Sequence, residues 1–182
     1  MKFSNTACAS NGLLEIIKTL GDNIIGCEVG VWQGENLCQI LENCDNISKM
    51  YAVDQYKPYT DWCQEIDENL ISYSKSIANS NLASISQSSK VTFLELSSED
   101  AITHITDGEL DFIFIDADHS YEHAYQDFCN YFNKVKTNGI FAGHDYSLPG
   151  VNKALNQFLP EQNYTMEDLH RVTNDSWYII KK

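Results

Sequence analysis

The chain carries little positive charge. Its 182 residues include 12 lysines and arginines against 26 aspartates and glutamates, which gives a net charge of -14 at pH 7. Such a surface repels phosphate backbones and anionic lipid headgroups, and no cluster of basic residues marks a local exception. We therefore expect neither a nucleic-acid partner nor a membrane partner.

Long apolar runs and paired cysteines are also missing. No run approaches the roughly 18 apolar residues that a membrane-spanning helix needs, and the N-terminus lacks the apolar core of a signal peptide. None of the six cysteines forms a C-x-x-C pair, and three of them fall on apolar faces of predicted elements. Scattered cysteines of this kind indicate free thiols in a reducing compartment. These absences predict a cytoplasmic protein.

Apolar strands and helices alternate along the chain. The predicted strands are 24–29, 49–54, 91–95, 111–116 and 139–143. The predicted helices are 10–20, 34–44, a long one through Trp62, Ile66, Leu70, Tyr73 and Ile77, one through Tyr121, Tyr125, Phe128, Phe132 and Val135, and 151–158, which stops at Pro160. Near-continuous apolar strands separated by helices indicate a parallel sheet that is covered on both faces.

The end of the chain and its length complete the predicted organisation. Segments 164–171 and 176–181 form two strands joined by a turn at 173–175, which makes the last strand antiparallel. No repeat or linker interrupts the sequence, and its length suits one core. We expect a single domain over residues 1–182, with residues 1–20 as an N-terminal helical extension.

Glycines and an acid follow the first two predicted strands, where ligands bind in such sheets. Gly30 permits close backbone approach, and Gly34 lies near a helix start, where free amides face the site. Asp54 lies 24 residues past Gly30, in the place where a carboxylate accepts hydrogen bonds from ribose hydroxyls. A structural glycine turn and a helix-capping Asp54 are the alternatives for each motif taken alone.

Polar side chains also follow the third strand. Ser97 and Asp100 have the spacing of a capping box that opens a helix. That interpretation accounts for Ser97, while Ser98 and Glu99 could also meet the edge of a nucleobase.

Acids and histidines follow the fourth and fifth strands: Asp116, Asp118, His119, His144 and Asp145. Ending apolar strands with such groups is costly unless they are solvated, paired or ligating. Because adjacent strand ends lie about 5 Å apart, Asp116 and Asp145 meet if their strands are neighbours. Two carboxylates, with or without a histidine, suit a hard divalent cation. A solvated rim with a helix cap at Asp118 or Ser120 is the alternative.

Four segments together resemble the class I S-adenosylmethionine-dependent methyltransferases. They are EVGVWQG at 28–34, YAVD at 51–54, DFIFIDADHSY at 111–121 and GIFAGHDY at 139–146. The last two resemble a small bacterial subgroup, related to metal-dependent O-methyltransferases that act on catechols, caffeoyl-CoA and macrolide sugars. The resemblance spans about residues 20–182. It implies an α/β Rossmann-like three-layer sandwich with a seven-stranded, mostly parallel sheet in the order 3-2-1-4-5-7-6, strand 7 being antiparallel.

The resemblance also implies roles for single residues. Gly30 and its neighbours, Gly34 among them, line the methionine part of the cofactor, and Glu28 lies beneath it. Asp54 holds the ribose hydroxyls, whereas Gln55, and less strongly Ser98, are placed near the adenine. Asp116, which we also count among the cofactor-binding residues, and Asp145 match carboxylates that hold magnesium in metal-dependent relatives.

One departure from those relatives concerns the residues around Asp145. The relatives usually follow this carboxylate with Asn or place two acids side by side, whereas this chain has His144 before it and Tyr146 after it. Whether a metal is required stays open, and His144 could be a third ligand, a base or a packed histidine.

The sequence therefore predicts an S-adenosylmethionine-dependent enzyme that O-methylates a small hydroxylated acceptor, such as a sugar or a catechol. The acceptor hydroxyl is activated by Mg²⁺ or another divalent cation beside Asp116 and Asp145, or by His119 or His144 as general base. The alternatives are a nicotinamide-dependent oxidoreductase, whose G-x-G-x-x-G spacing is missing, and a non-catalytic cofactor-binding or scaffold protein. Because the chain is short, a second subunit of a homodimer could complete the site.

Overall fold

Helices and strands alternate in the computed structural model, which describes residues 11–61 and 64–182. The helices are α1 (Asn11–Thr19), α2 (Glu35–Asn43), α3 (Glu68–Ser84), α4 (Ser98–Ala101), α5 (Tyr121–Phe132) and α6 (Pro149–Glu161). The strands are β1 (Ile24–Val29), β2 (Ile47–Val53), β3 (Tyr59–Asp61), β4 (Gln64–Ile66), β5 (Val91–Leu94), β6 (Leu110–Ile115), β7 (Val135–Gly143), β8 (His170–Arg171) and β9 (Trp177–Ile180). Residues 1–10 of the predicted N-terminal extension lie outside the described part.

Seven strands form one sheet in the order β5-β2-β1-β6-β7-β9-β8, and β3 and β4 form a separate hairpin. Strands β5, β2, β1, β6 and β7 run parallel, whereas β9 is antiparallel to both of its neighbours. The labels differ from the predicted order because the hairpin takes two places in the count. Without it the order is 3-2-1-4-5-7-6, and the predicted Rossmann-like α/β class is confirmed.

Side chains that alternate along the central strands fill the two faces of the sheet. In β6, Phe112 and Phe114 pack with α1 and α2 on one face, while Ile113 and Ile115 pack with α5 and α6 on the other. The second face is rich in aromatic rings, with the T-shaped pair of Phe128 and Trp177 at a centroid distance of 5.3 Å. Such packing fixes the strands, so their carboxyl ends form a stable edge. In the described part of the chain, no helix is both long and apolar enough to cross a lipid bilayer.

The predicted long helix through Trp62 and Ile66 is wrong in its first part. Tyr59–Asp61 and Gln64–Ile66 pair as antiparallel strands, and Trp62 itself lies outside the described residues. Helix α3 begins only at Glu68, because the side chain of Asp67 accepts a hydrogen bond from a backbone amide of the first turn and caps the helix.

The buried face of α3 also differs from the prediction. Ile71, Ser74 and Ala78 are buried, whereas Tyr73, which was assigned to the apolar stripe, is 60% exposed. The predicted stripe includes Ile66, which belongs to β4. Its spacing therefore does not identify the buried face of α3.

Three boundaries differ in smaller ways. Val135 begins β7 and does not belong to the stripe of α5, and α6 continues through Pro160 to Glu161. The predicted strand 164–171 is reduced to the two residues of β8, which pair with β9. The turn at 173–175 joins β8 to β9 as predicted.

Candidate active site

The carboxyl ends of β1, β2, β5 and β6 surround a cleft of about 760 Å³, a volume typical of small-molecule sites. Six of the predicted cofactor-binding residues line it: Glu28, Gly30, Asp54, Gln55, Ser98 and Asp116. Gly34 does not, because it is the left-handed N-cap residue of α2, next to Gln33 and Glu35, which do line the cleft. The strand-end rule therefore brings together residues that are far apart in sequence.

Gly30 is the point where two strand ends touch. Its φ of 89° is in the left-handed region, and a Cβ at this position would lie 2.0 Å from the carbonyl oxygen of Asp116. Its amide donates a hydrogen bond of 2.9 Å to the carbonyl of Val53. Only glycine fits this contact. Because Gly30 has no side chain, its backbone lines the cleft directly.

Asp54 organises the turn that follows Gly30. Its Oδ2 accepts hydrogen bonds from the amides of Val31, at 3.1 Å, and Trp32, at 2.9 Å, and its Oδ1 accepts one from the amide of Tyr56 at 2.8 Å. Burial raises the pKa of Asp54, although these three bonds act in the opposite direction. The sequence did not reveal this role. A carboxylate oxygen has two lone pairs, so Asp54 can still accept hydrogen bonds from a ligand.

Glu28 is a buried carboxyl beside the cleft with unused hydrogen-bonding capacity. Its Oε1 accepts a hydrogen bond of 2.6 Å from Asn36, while its Oε2 has no partner among the described residues. Burial raises the pKa of Glu28 to about 8, despite the bond to Asn36. Buried polar atoms are normally paired, so a ligand that presents a cationic donor to Oε2 would complete the site.

Asp127 also lines the cleft and was not singled out from the sequence. It is only 4% exposed, and the hydroxyl of Ser98 donates a hydrogen bond to it. Burial raises the pKa of Asp127 to about 6. The sequence does contain a sign of this role, because Asp127 lies on the same helical face as Phe128 and Tyr131. A carboxyl group on a buried apolar face needs a hydrogen-bond partner or a ligand.

The hairpin supplies another wall that the sequence did not predict, through Tyr59, Thr60 and Ile66, and Lys57 in the loop before it also lines the cleft. Of the described residues around the cleft, seven are acidic and one is a lysine. Such a lining attracts a cationic ligand and repels anionic ones.

Two acids and two histidines meet where β6 and β7 end. The strands are parallel neighbours, so Asp116 and Asp145 meet as predicted. The Nε2 atom of His119 lies 2.7 Å from Oδ2 of Asp145 and 3.5 Å from Oδ1 of Asp116. The Nδ1 atom of His144 lies 3.0 Å from Oδ2 of Asp145 and 3.7 Å from Oδ1 of Asp116. We call these four residues the strand-end cluster.

The electrostatics of Asp145 and His144 favour the charged forms of these two side chains. Burial alone would raise the pKa of Asp145, but hydrogen bonds from His119 and His144 hold it well below its usual range. Burial alone would lower the pKa of His144, but Asp145 and Asp116 outweigh it and raise the pKa. Opposite charges within a few ångströms produce such shifts.

The four residues differ in access to the cleft. Asp116 and His119 line it, whereas His144 borders a small cavity behind them. Asp118 accepts a hydrogen bond of 2.8 Å from the amide of Ser120. Ser120 is the N-cap residue of α5, and neither Asp118 nor Ser120 makes a side-chain cap bond to that helix. Of the two histidines in the strand-end cluster, His119 is the one that lines the cleft.

The loop that carries His119 is held by α6. A Cβ on Gly150 would lie 2.2 Å from the carbonyl oxygen of His119 and 2.8 Å from the amide of Tyr121. The first turn of α6 therefore packs directly on this backbone, and only glycine allows that distance. No motif in the sequence connects Gly150 with the site.

Asp116, His144 and Asp145 could hold a metal ion. Each offers one ligand atom, and the three atoms lie within 4.8 Å of one another. Two carboxylates suit Mg²⁺ or Mn²⁺, and an imidazole nitrogen adds affinity for transition ions. The donor set therefore fits a divalent cation.

Comparisons with known proteins agree with the geometry. A family described as "Methyltransferase domain" matches residues 27–146, well over half of the chain. No curated protein matches this chain in sequence.

Solved structures show the same fold. The O-methyltransferase NovP is 19% identical, with 93% of this chain and 79% of NovP covered at a TM-score of 0.65. A precorrin-6y C5,15-methyltransferase from Geobacter metallireducens is 12% identical, with 98% and 93% covered at 0.63. A spermidine synthase from Thermotoga maritima is 12% identical, with 100% and 60% covered at 0.61. At these identities the likeness shows the fold alone, since one fold hosts several reactions.

Proposed function

The chain belongs to the methyltransferase-domain family, and on that premise we propose that it methylates a hydroxyl oxygen of a small acceptor. It is an enzyme of the class I S-adenosylmethionine-dependent methyltransferases. This family membership excludes the alternative of a nicotinamide-dependent oxidoreductase. The observation that carries the oxygen acceptor is the strand-end cluster, because two histidines and two carboxylates beside a cleft can take a proton from a hydroxyl group.

The residues of the cleft fit S-adenosylmethionine. The unpaired Oε2 of Glu28 suits the ammonium group of its methionine part, and Gly30 lets the backbone approach it closely. We assign the ribose hydroxyls to Asp54, and the adenine to Gln55 and Ser98, which line the same cleft. The acidic lining suits a ligand that carries positive charge on both sulfur and nitrogen.

The residues of the chain then position and deprotonate the acceptor. S-adenosylmethionine supplies an electrophilic methyl group on a sulfonium sulfur. His119, at the wall of the cleft, takes the proton of the acceptor hydroxyl on the ring nitrogen that does not face Asp145. Asp145, 2.7 Å from Nε2, stabilises the resulting imidazolium. Holding the oxygen in line with the methyl group contributes a large part of the acceleration.

A divalent cation offers a second route to the same deprotonation. Asp116, His144 and Asp145 would hold it, and a bound cation lowers the pKa of a coordinated hydroxyl group. His119 would then serve as a partner of Asp145 and accept the released proton. Both routes use the strand-end cluster, and they differ in their response to a chelator.

A labelled methyl-transfer screen tests the proposal. The protein is incubated with S-adenosylmethionine labelled in its methyl group and with catechols, sugars and other small hydroxylated compounds, with EDTA or with Mg²⁺ or Mn²⁺. We expect label in a methyl ether. Loss of label with EDTA, and its return with Mg²⁺ or Mn²⁺, would support the cation route, whereas an unchanged rate would support His119 as base.

The same screen separates an enzyme from a non-catalytic binding protein. Tight binding of S-adenosylmethionine without label in any hydroxyl, amine or thiol acceptor would favour the binding protein. Label in amine or thiol acceptors alone would contradict the oxygen acceptor.

Glu28 provides a test of the cofactor's orientation. At pH 7 a carboxyl with a pKa of about 8 is mostly protonated, and an ammonium partner favours its ionised form. We expect binding to release close to one proton, measured by calorimetry in buffers of different ionisation enthalpy. The ligand's own amino group, with a pKa near 8, is already mostly protonated at pH 7.

Glu28→Gln is the matched variant, because it keeps an acceptor for Asn36 but has no proton to release. We expect weaker binding without proton release. Equal proton release in both proteins would place the ammonium group elsewhere.

A further inference from the structure

We propose that the turn between β8 and β9, residues 173–175, positions His144 and Asp145, and that Asp175 is its central positioning residue. The inference rests on the proposed function only in that these two residues belong to the proposed site. We call the turn the β8–β9 clamp.

Asp175 binds the chain just after Asp145 with both its backbone and its side chain. Its carbonyl oxygen accepts a hydrogen bond of 3.1 Å from the amide of Tyr146. Its Oδ2 accepts one of 3.0 Å from the amide of Ser147 and another from the hydroxyl of the same residue. Three hydrogen bonds thus join one residue of the clamp to the two residues that follow Asp145.

The clamp also holds His144, on the other side of Asp145. The His144 ring donates a hydrogen bond to the backbone carbonyl of Asn174. The carbonyl of His144 accepts a hydrogen bond of 3.0 Å from Nε1 of Trp177, the first residue of β9. A histidine ring that is held by a backbone hydrogen bond presents a fixed nitrogen to the cluster.

The conformation of Asp145 explains why such support is needed. Its φ of 54° is in the left-handed region, which is unfavourable for a residue with a side chain and persists only where the surroundings impose it. Asn174 and Asp175 have φ of 58° and 57°, so the clamp also contains residues in the left-handed region. Because Gly143 pairs with Trp177, the two segments lie side by side at the sheet edge.

Asp175→Gly removes the carboxylate and keeps a residue that tolerates positive φ. In cation-free protein at one pH, we expect changed ring-nitrogen chemical shifts for His144 in ¹H–¹⁵N NMR. We also expect Co²⁺ affinity, followed by its visible absorption, to fall about 10- to 100-fold, as for other outer-shell partners of metal ligands. S-adenosylmethionine affinity should stay within about twofold. Asp175→Asn, which keeps an acceptor oxygen, should restore both signals.

Asp168→Gly is the matched control. The Oδ2 of Asp168 accepts hydrogen bonds from the amide and the hydroxyl of Thr165, the same pattern that Asp175 makes with Ser147. It also pairs with Lys182, next to the residue that bonds Gly139, so it lies towards the other end of the sheet. We expect it to leave the His144 signals and the Co²⁺ affinity unchanged.

Unchanged His144 shifts in Asp175→Gly, or equal changes in Asp168→Gly, would overturn the clamp. If Asp175→Gly does not fold, Ser147→Ala decides, since it removes one of the three bonds and should move the His144 signals in the same direction. The ring-nitrogen measurement needs neither cation nor acceptor. A protein that binds no Co²⁺ would therefore count only against the cation route, and one that methylates nothing would count against the proposed function. In both cases NMR still supports or refutes the clamp.

Discussion

Asp145→Asn is expected to lower the methyl-transfer rate roughly 10³-fold, within the range that general acid–base groups contribute, and to leave S-adenosylmethionine affinity within about twofold. Asparagine tolerates the left-handed backbone of this position, so the change removes charge and keeps shape. The side chain faces His119 and His144 and is one of three possible cation ligands. The imidazolium of His119 therefore loses its counter-charge, and the cation loses one ligand, so both proposed routes to deprotonation are impaired. Single-turnover transfer of labelled methyl, with calorimetry for the cofactor, measures the two effects separately.

Asp111→Asn is the control for the loss of a partly buried, paired carboxylate. Asp111 lies near the amino end of β6, accepts a hydrogen bond of 2.8 Å from the amide of Ile25 and pairs with Lys136 at 2.7 Å. Its side chain is 20% exposed, against 23% for Asp145. We expect a loss of stability without a specific loss of transfer. Turnover of Asp145→Asn at the level of this control would remove Asp145 from the mechanism.

The sequence predicts that the polar residues lie together at one edge of the sheet. The prediction needs only the apolar runs that mark the strands and the rule that ligands bind at the carboxyl ends of parallel strands. Apolar strands that end in Asp54, Asp116 and Asp145 define their own carboxyl ends, and adjacent parallel strands place those ends together. The meeting of Asp116 with Asp145 followed once β6 and β7 were neighbours. Strand order came from the family resemblance, since local sequence carries little information about which strands pair.

What the sequence did not reveal depends on backbone geometry and on contacts between distant segments. The hairpin at 59–66 was mistaken for helix because its apolar residues matched a helical period by chance. The hydrogen bonds that the amides of Val31 and Trp32 donate to Asp54 cannot be recognised from the residue types alone. The same holds for the contact of Gly150 with the His119 loop and for the bonds of Asp175, because all of them join residues that no local pattern relates.

Asp54→Ala is expected to weaken S-adenosylmethionine binding at least 100-fold, about 2.7 kcal/mol. The carboxylate holds the amides of Val31, Trp32 and Tyr56, and each donor left buried without an acceptor costs about 1–3 kcal/mol. The turn beside Gly30 would lose its shape together with the proposed ribose contacts. Calorimetry gives the affinity, and urea denaturation checks that the variant is folded. Asp67→Ala, which removes only the cap of α3, should cost about 1 kcal/mol of stability and leave affinity unchanged. Equal affinities in both variants would contradict a role for Asp54 in cofactor binding.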